Sequence, residues 1–517
     1  MRLILKLALG LCLMQAAQAQ PVPHEPRSAP AGGARWDADE HDSYLTWNND
    51  LEPANALRLH LEEALAFGLQ HNLTLWVAEI EPSLAKTEET LAAGLFDPTF
   101  RSLVSRGGLS QLFATDINQI LGYHQQLLTR AGLEQTTSTG VRYSVEYRTG
   151  TDSFLQSALG LGGISGRTTS TFFNLVVPLL RGAGRDANEG PLRAAEFRTR
   201  RAVSLLSERT LETAALIQKT YWELVAKRNQ LGIQLRAQSH ARRLRTYLEI
   251  EIAEGRAAPY EAFEAEQNLG LIQIELEERR RGLILQEQYL LRFMGLDPNL
   301  GRVVPLDDLS APEEQKSDLQ VWVERALADR PEIRAARLEI DALDAERITL
   351  NNRLMPQLDL IGDYRTSTGS NLLGTDAWQV SLQFSLPIGN HQALARAERK
   401  NLELQQAQRI VERSLQDIVN DTSLAYKSLG FHRERWRRAQ MTRSYALLRS
   451  QAEGERFLAG FTPAHRVVFA QQYEVLSLQK EAEAKLDYTL SRVELERAVG
   501  AALPELLNKA RRTDESQ

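Results

Sequence analysis

The residues able to do chemistry in this 517-residue chain are few and scattered. Its nine histidines form no cluster, and His60 and His71 stand eleven residues apart. No serine or histidine meets a carboxylate at the spacing of a nucleophilic triad, and there is no phosphate-cradling or dinucleotide loop. The sequence therefore points to no enzyme, no cofactor and no metal. Its single cysteine, Cys12, falls in a segment expected to be removed, which leaves no thiol chemistry and no disulfide in the mature chain. What remains is electrostatics. Glu261 and Glu264 follow Gly255 by six and nine residues, and Arg466 and Phe469 hold the same places after Gly460. Two carboxylates on one helix end, with a guanidinium and a ring on another, can attract, repel or narrow a passage. An ordinary exposed helix end would carry the same residues.

Those places are equivalent because the chain repeats itself. In Ala377–Leu394, Trp378, Val380, Leu382, Phe384 and Leu386 alternate with Gln379, Ser381, Gln383 and Ser385, the period-two pattern of a strand with one apolar face. The pattern stops at Pro387 and, past Gly389, becomes helical for tens of residues. Thr171–Gly184 makes the same join, with Pro178 lying 209 residues before Pro387. Gly255 and Gly460 are 205 apart, as are Gly295 and Gly500. Upstream the offset changes: Ala64 matches Ala326 at 262, and Pro98 matches Pro356 at 258. The chain thus reads as a tandem duplication whose first half holds about 50 extra residues between Pro98 and Pro178.

Arg2 and Lys6, the apolar run Leu3–Met14 and the small-residue site Ala17–Ala19 make residues 1–19 a signal peptide. Beyond it no run of 18 apolar residues occurs, and mean hydropathy is −0.34. A membrane could be crossed only by strands closed into a barrel. A net charge of −6, without a basic run, gives no reason to expect nucleic acid.

Residues 20–56, with Pro21, Pro23, Pro26 and Pro30, read as an extended leader. Residues 57–296 form repeat 1 and 319–502 repeat 2, joined by a Pro-bearing connector at 297–318 and followed by a tail at 503–517. Repeat 1 opens with helix over 57–94, bent or split at Pro82. Its strand candidates are Phe100–Ser105, Gly140–Gly150 and Thr171–Val177, with Arg106–Ser138 and Gly150–Ser170 read as loops. Three is an odd number for an up-and-down wall. Either Phe100–Ser105 lies outside it, or Leu133–Thr137 adds a short partner. In the second candidate Val141, Tyr143, Val145 and Tyr147 share a face opposite Arg142, Ser144, Glu146 and Arg148. A helix over 188–254, about 100 Å long at 1.5 Å per residue, must pack along others of similar length. It returns from Pro259 to Phe293 with the seam Ala262, Ala265, Leu269, Ile272 and Leu276. Repeat 2 has helix over 319–354 broken at Pro331, a strand at 357–366 and the strand ending at Leu386. Its long helix over 390–458 carries the stripe Leu404, Ala407, Val411, Leu415, Ile418, Ala425 and Leu429, and the return helix runs to Val499.

Over residues 57–502 the chain resembles the TolC-type outer-membrane efflux proteins. The resemblance rests on EGRAAPYEAFEAE at 254–266 and AGFTPAHRVVFAQ at 459–471, each with Gly followed ten residues later by Ala, on VPLLRGAGRD at 177–186, and on KTYWELVAKRNQL at 219–231. It implies an α+β membrane protein in which long antiparallel helical hairpins form an α-barrel. Each protomer would give four strands to a trimeric transmembrane β-barrel, about 99–177 in repeat 1 and 357–386 in repeat 2. It further implies a passive duct: a homotrimer in outer-membrane lipid, docked to a periplasmic adaptor and an inner-membrane transporter. The tips at Gly255, Pro259, Gly460 and Pro463 would meet the adaptor, and acidic residues near them would narrow the entrance. Here Arg466 and Phe469 stand where the second repeat of that family places aspartates. Val141, Tyr143, Val145, Tyr147, Trp378, Val380, Leu382 and Phe384 are the expected lipid-facing or interfacial residues. Independently, four strands cannot close alone, so the sheet must close across chains. The rival reading is a periplasmic or secreted coiled-coil scaffold that never inserts, which would have no need of two-faced strands. Cargo is not legible.

Overall fold

The computed structural model describes residues 56–114, 119–156, 164–255, 257–297, 301–309, 318–369 and 372–500. The expected signal peptide at 1–19, most of the expected leader (up to residue 55) and the expected tail at 503–517 lie outside these residues.

Strand β1 (Leu57–Leu59) leads into helices α1 (Leu61–His71) and α2 (Leu73–Ala93). The break falls at Asn72, whose side chain accepts the Thr74 and Leu75 amides and donates to the Phe293 carbonyl. Pro82, expected to bend or split the helix, does not split it and is carried inside α2; a cap tied to a distant helix outweighs one missing amide.

Four strands follow: β2 (Thr99–Ala114), β3 (Gln119–Thr136), β4 (Arg142–Gln156) and β5 (Ile164–Pro178). After the single turn α3 (Arg185–Asn188) come α4 (Gly190–Ala253) and α5 (Pro259–Phe293). The second half has β6 (Val303–Pro305), α6 (Leu319–Asp329), α7 (Pro331–Asn352), β7 (Gln357–Gly369), β8 (Leu372–Ser385), α8 (His391–Leu458) and α9 (Ala464–Val499). The helices α4 and α8 run 64 and 68 residues.

The large sheet is antiparallel in the order β2-β3-β4-β5-β7-β8, so one chain contributes six strands, not four. The stretches 106–138 and 150–170, read as loops, supply most of the difference. They are rich in Gly, Ser and Thr and show little side-chain alternation. Ladder hydrogen bonds use the backbone, which every non-proline residue brings whatever its side chain.

The expected stripes are buried in part, with Leu404, Val411, Leu415, Ala262 and Ile272 half-buried. Ala407, Ile418, Ala425 and Leu429 of α8 and Ala265, Leu269 and Leu276 of α5 face the helix pack. A two-stranded parallel sheet, β1 with β6, ties the start of the first repeat to the connector. Asp307 is the clasp. Its carboxylate accepts the Leu61 amide at 2.7 Å, capping α1, and lies 2.9 Å from His60 Nδ1. The hydroxyl of fully buried Tyr221 on α4 lies 2.7 Å from the same carboxylate and 3.0 Å from the Leu59 carbonyl.

Burial alone would raise the Asp307 carboxyl, but hydrogen bonds from His60, Tyr221 and the Leu61 amide hold it below its usual range. The Asp307 hydrogen bond is what raises His60. The His60 contribution is therefore whole below about pH 6.5 and lost as pH rises through its raised folded value. The Asp307 contribution is whole above about pH 4 and lost as pH falls through its lowered one. The clasp is strongest between those limits. Tyr221→Phe is expected to cost about 1.5–3 kcal/mol, since it removes a buried hydrogen bond to a charged group. The chemical-denaturation midpoint of the full chain in detergent measures this, and an unchanged midpoint would show that the hydroxyl holds nothing. Raising the pH from 6 to 8 should lower the wild-type midpoint more than that of His60→Gln.

Candidate functional site: a two-faced sheet and paired helix tips

Strand register sorts the side chains of the sheet into rows, and two adjacent rows have opposite character. One runs Phe100, Leu133, Val145, Phe173, Tyr364, Trp378 across all six strands. Each member is apolar or aromatic, and each is 36–77 % exposed in the single chain. The row beside it, on the opposite face, runs Thr99, Glu134, Ser144, Asn174, Asp363, Gln379, polar throughout. Successive residues of a strand point to opposite faces, so the sheet is apolar on one side and wettable on the other.

The register also brings the separately predicted apolar sets onto one face. Tyr143 pairs with Leu175, Leu175 with Gly362 and Gly362 with Val380, while Leu382 pairs with Leu360 and Phe384 with Leu358. Val141 precedes β4, and Tyr147 extends the face from within it. Sequence reading missed Phe173 and Leu175 on β5 and left Phe100 and Leu133 unplaced. Their alternation is interrupted by Thr, Ala and Gly, and only the neighbouring strands show which side they take.

The polar face carries paired charges. Arg148 reaches Glu146 at 2.7 Å, Arg130 reaches Glu146 at 3.8 Å, and Arg101 reaches Glu134 at 3.4 Å. Asn174 donates to Asp363 at 2.7 Å. The guanidinium of Arg148 lies 4.0 Å from the centre of the Phe172 ring, an aromatic on this side of the sheet. Near the helix end Asp359 is 3 % exposed and accepts from Gln357 at 2.6 Å.

At the far end of the helices the two hairpins meet. Gly255 and Gly460 end α4 and α8 with φ of 76° and 77°, the left-handed conformation that side chains resist. Pro259 opens α5, and Pro463 stands at the cap of α9. Ala265 and Ala470, ten residues after each glycine, are 2 % and 1 % exposed. The repeated Gly-to-Ala spacing is thus a packing device, a turn followed by a small residue where helices approach. Leu244, Leu248 and Ala265 of the first hairpin pack with Ala464 and Val467 of the second, and Tyr247 lies edge-on to Phe457 at 5.4 Å.

The charged tip residues are placed differently from one another. The Glu261 carboxylate lies 3.4 Å from the Ala464 amide, at the positive end of α9. Glu264, Arg466 and Phe469 are exposed. Among the described residues neither glutamate forms an ion pair with Arg466 within one copy. Also among the described residues, no group of His, Cys, Asp and Glu is arranged to hold a metal ion, and no helix is long and apolar enough to cross a membrane.

Residues 322–501 match the family model described as outer membrane efflux protein. No curated protein sequence matches the chain significantly. Among solved structures, the outer-membrane channel OprN superimposes with a TM-score of 0.63 at 15 % identity, covering 93 % of this chain and 98 % of its own. The CmeC outer membrane channel of Campylobacter jejuni gives 0.63 at 15 %, covering 95 % and 97 %. The MtrE outer membrane channel of Neisseria gonorrhoeae, in an open state, gives 0.60 at 15 %, covering 85 % and 89 %. At these identities the likeness establishes a shared fold.

Proposed function

We propose that this chain, whose residues 322–501 are an outer membrane efflux protein domain, is the passive outer-membrane duct of an export machine. Three copies close their sheets into one barrel, and their helical hairpins form a tunnel in the periplasm. A periplasmic adaptor grips the hairpin tips, and an inner-membrane transporter supplies the energy. The chain itself binds no cofactor and catalyses no reaction. The observation that carries this reading is the two-faced sheet, an apolar belt backed by a charged, wettable face and joined through Pro178 and Pro387 to helices about 100 Å long.

Self-association has its own support. Six strands cannot close alone, since a membrane barrel needs at least about eight. On α2, Leu73, Val77, Ile80, Leu84 and Leu91 form an exposed apolar stripe at heptad spacing. On α8, Leu424, Phe431 and Tyr445 form another. Two different apolar surfaces on one chain suit a head-to-tail contact that closes into a ring.

The protein extracted from outer membranes should be a detergent-stable trimer that conducts ions in planar bilayers. A water-soluble monomer obtained without detergent would end this reading. At the entrance, Glu261 or Glu264 of one copy meets Arg466 of the next. Each such wet pair is worth on the order of 0–1 kcal/mol, but the ring holds three sets. Arg466→Glu is then expected to raise single-channel conductance, with high salt partly mimicking it by screening. Unchanged conductance in both Arg466→Glu and the double variant Glu261→Lys, Glu264→Lys would show that these residues do not gate.

A further inference from the structure

We infer that all six strands of each copy stand in the membrane wall, so that the barrel has eighteen strands and closes by β8 of one copy pairing with β2 of the next. This rests on the duct reading above and departs from the four strands per copy that the resemblance implies.

The alternative is that β2 and β3 form a flap beside a four-stranded wall of β4, β5, β7 and β8. Three observations favour the wall. First, the ladder is continuous. β2 pairs with β3 from Thr99 to Ala114, and β3 with β4 from Gly122 to Thr136, runs as long as any between the other strands. Second, the added strands are fixed at the same joint as the rest. Gln135 of β3 donates to the Phe96 carbonyl at 2.8 Å. Thr139, in the β3–β4 turn, accepts the Gly184 amide at 3.0 Å, just where β5 gives way to helix. Third, at the helix side the chemistry of both faces carries on into the added strands. Phe100 and Leu133 extend the apolar row, and Arg101 with Glu134 extends the charged one. A flap lying in water would leave that apolar row exposed, and a flap lying in lipid would strand the charges.

The two edges also fit each other. β2 starts at the helix side of the sheet and β8 ends there, so neighbouring copies meet antiparallel. Thr99 lies on the row of Gln379, while β8 continues six residues further to Ser385. Bringing both ends to one level staggers each copy by those six residues over six strands. With a rise of about 3.4 Å per residue and a spacing of about 4.8 Å, that is a strand tilt of about 35°, within the range of outer-membrane barrels. Thr99 of one copy then faces Ser385 of the next, which sets Phe100 against Phe384 and Val104 against Val380, all four on the lipid face and all exposed in the single chain. Such a wall is about half again as wide as one of twelve strands.

Cysteine pairs in the otherwise cysteine-free mature chain test this. Under oxidation, Phe100→Cys with Phe384→Cys should give a covalent ring of copies on a denaturing, non-reducing gel. Tyr143→Cys with Phe384→Cys should run as single chains. A four-stranded wall reverses the result, because Tyr143 would then face Phe384 across the junction. Cross-linking of the Tyr143 pair, or of neither pair, in a protein that still forms a conducting trimer overturns the eighteen-stranded barrel and leaves the duct intact. Loss of both oligomer and conductance in the parent protein would overturn the duct itself.

Discussion

Val380→Arg is expected to weaken the assembled barrel by about 2–4 kcal/mol per copy, the cost of an arginine facing lipid near mid-bilayer. Val380 lies near the middle of β8 and is 64 % exposed, in a register row with Tyr143, Leu175 and Gly362. No neighbour in the chain covers it, so the substitution creates no clash and any loss must come from what surrounds the assembled wall. Gln379→Arg is the control. It shares its row with Glu134 and Asp363, and an added guanidinium there should change stability by no more than about 0.5 kcal/mol. Denaturant midpoints of trimers refolded into lipid vesicles compare the two. If Gln379→Arg were the more damaging, the lipid and water faces would be the reverse of those proposed.

Gly140→Val is expected to be at least as severe, by a different route. Gly140 ends the β3–β4 turn with φ of 89°, and a Cβ there would sit 2.0 Å from the Gly182 carbonyl oxygen. The backbone fixes where the Cβ sits and the atom it meets is itself backbone, so no side chain can rotate away. Backbone strain of about 1–3 kcal/mol adds to about 1–3 kcal/mol for forcing the contact apart. The joint between strand and helix, where the Gly184 amide donates to Thr139, would open. Gly362→Ala, at a glycine with nothing within 4 Å of the added Cβ, should leave the midpoint nearly unchanged. Equal losses for the two variants would show that sheet glycines matter here only through general strand propensity.

How far the sequence reaches depends on which physical signal places each element. The long helices were legible because their packing faces repeat every three to four residues over many turns. Ala265, Leu269 and Leu276 and then Ala407, Ile418, Ala425 and Leu429 are buried as that period requires. The strand at β8 was legible because one apolar and one polar side leave strict alternation in Trp378 to Ser385. The tips were legible because a left-handed turn needs glycine, and Gly255 and Gly460 recur in register.

What the sequence left open is whatever depends on residues distant in the chain. Most of β2 and β3 and the far halves of β4 and β5 are held by backbone ladders, which impose no side-chain period, so glycine- and threonine-rich strands read as loops. The break at Asn72 needed Phe293, and the clasp at Asp307 needed His60 and Tyr221, partners no local spacing announces. The opposite charges at the tips were visible in the sequence, but their placement was not. Only the tertiary structure sets Glu261 against the α9 terminus and leaves Arg466 exposed. Local periodicity therefore determined the helices, the turns and the two-faced stretches of β4 and β8. Strand count, register and the continuous apolar row were decided by pairing across the sheet, because a face exists only when several strands agree on it.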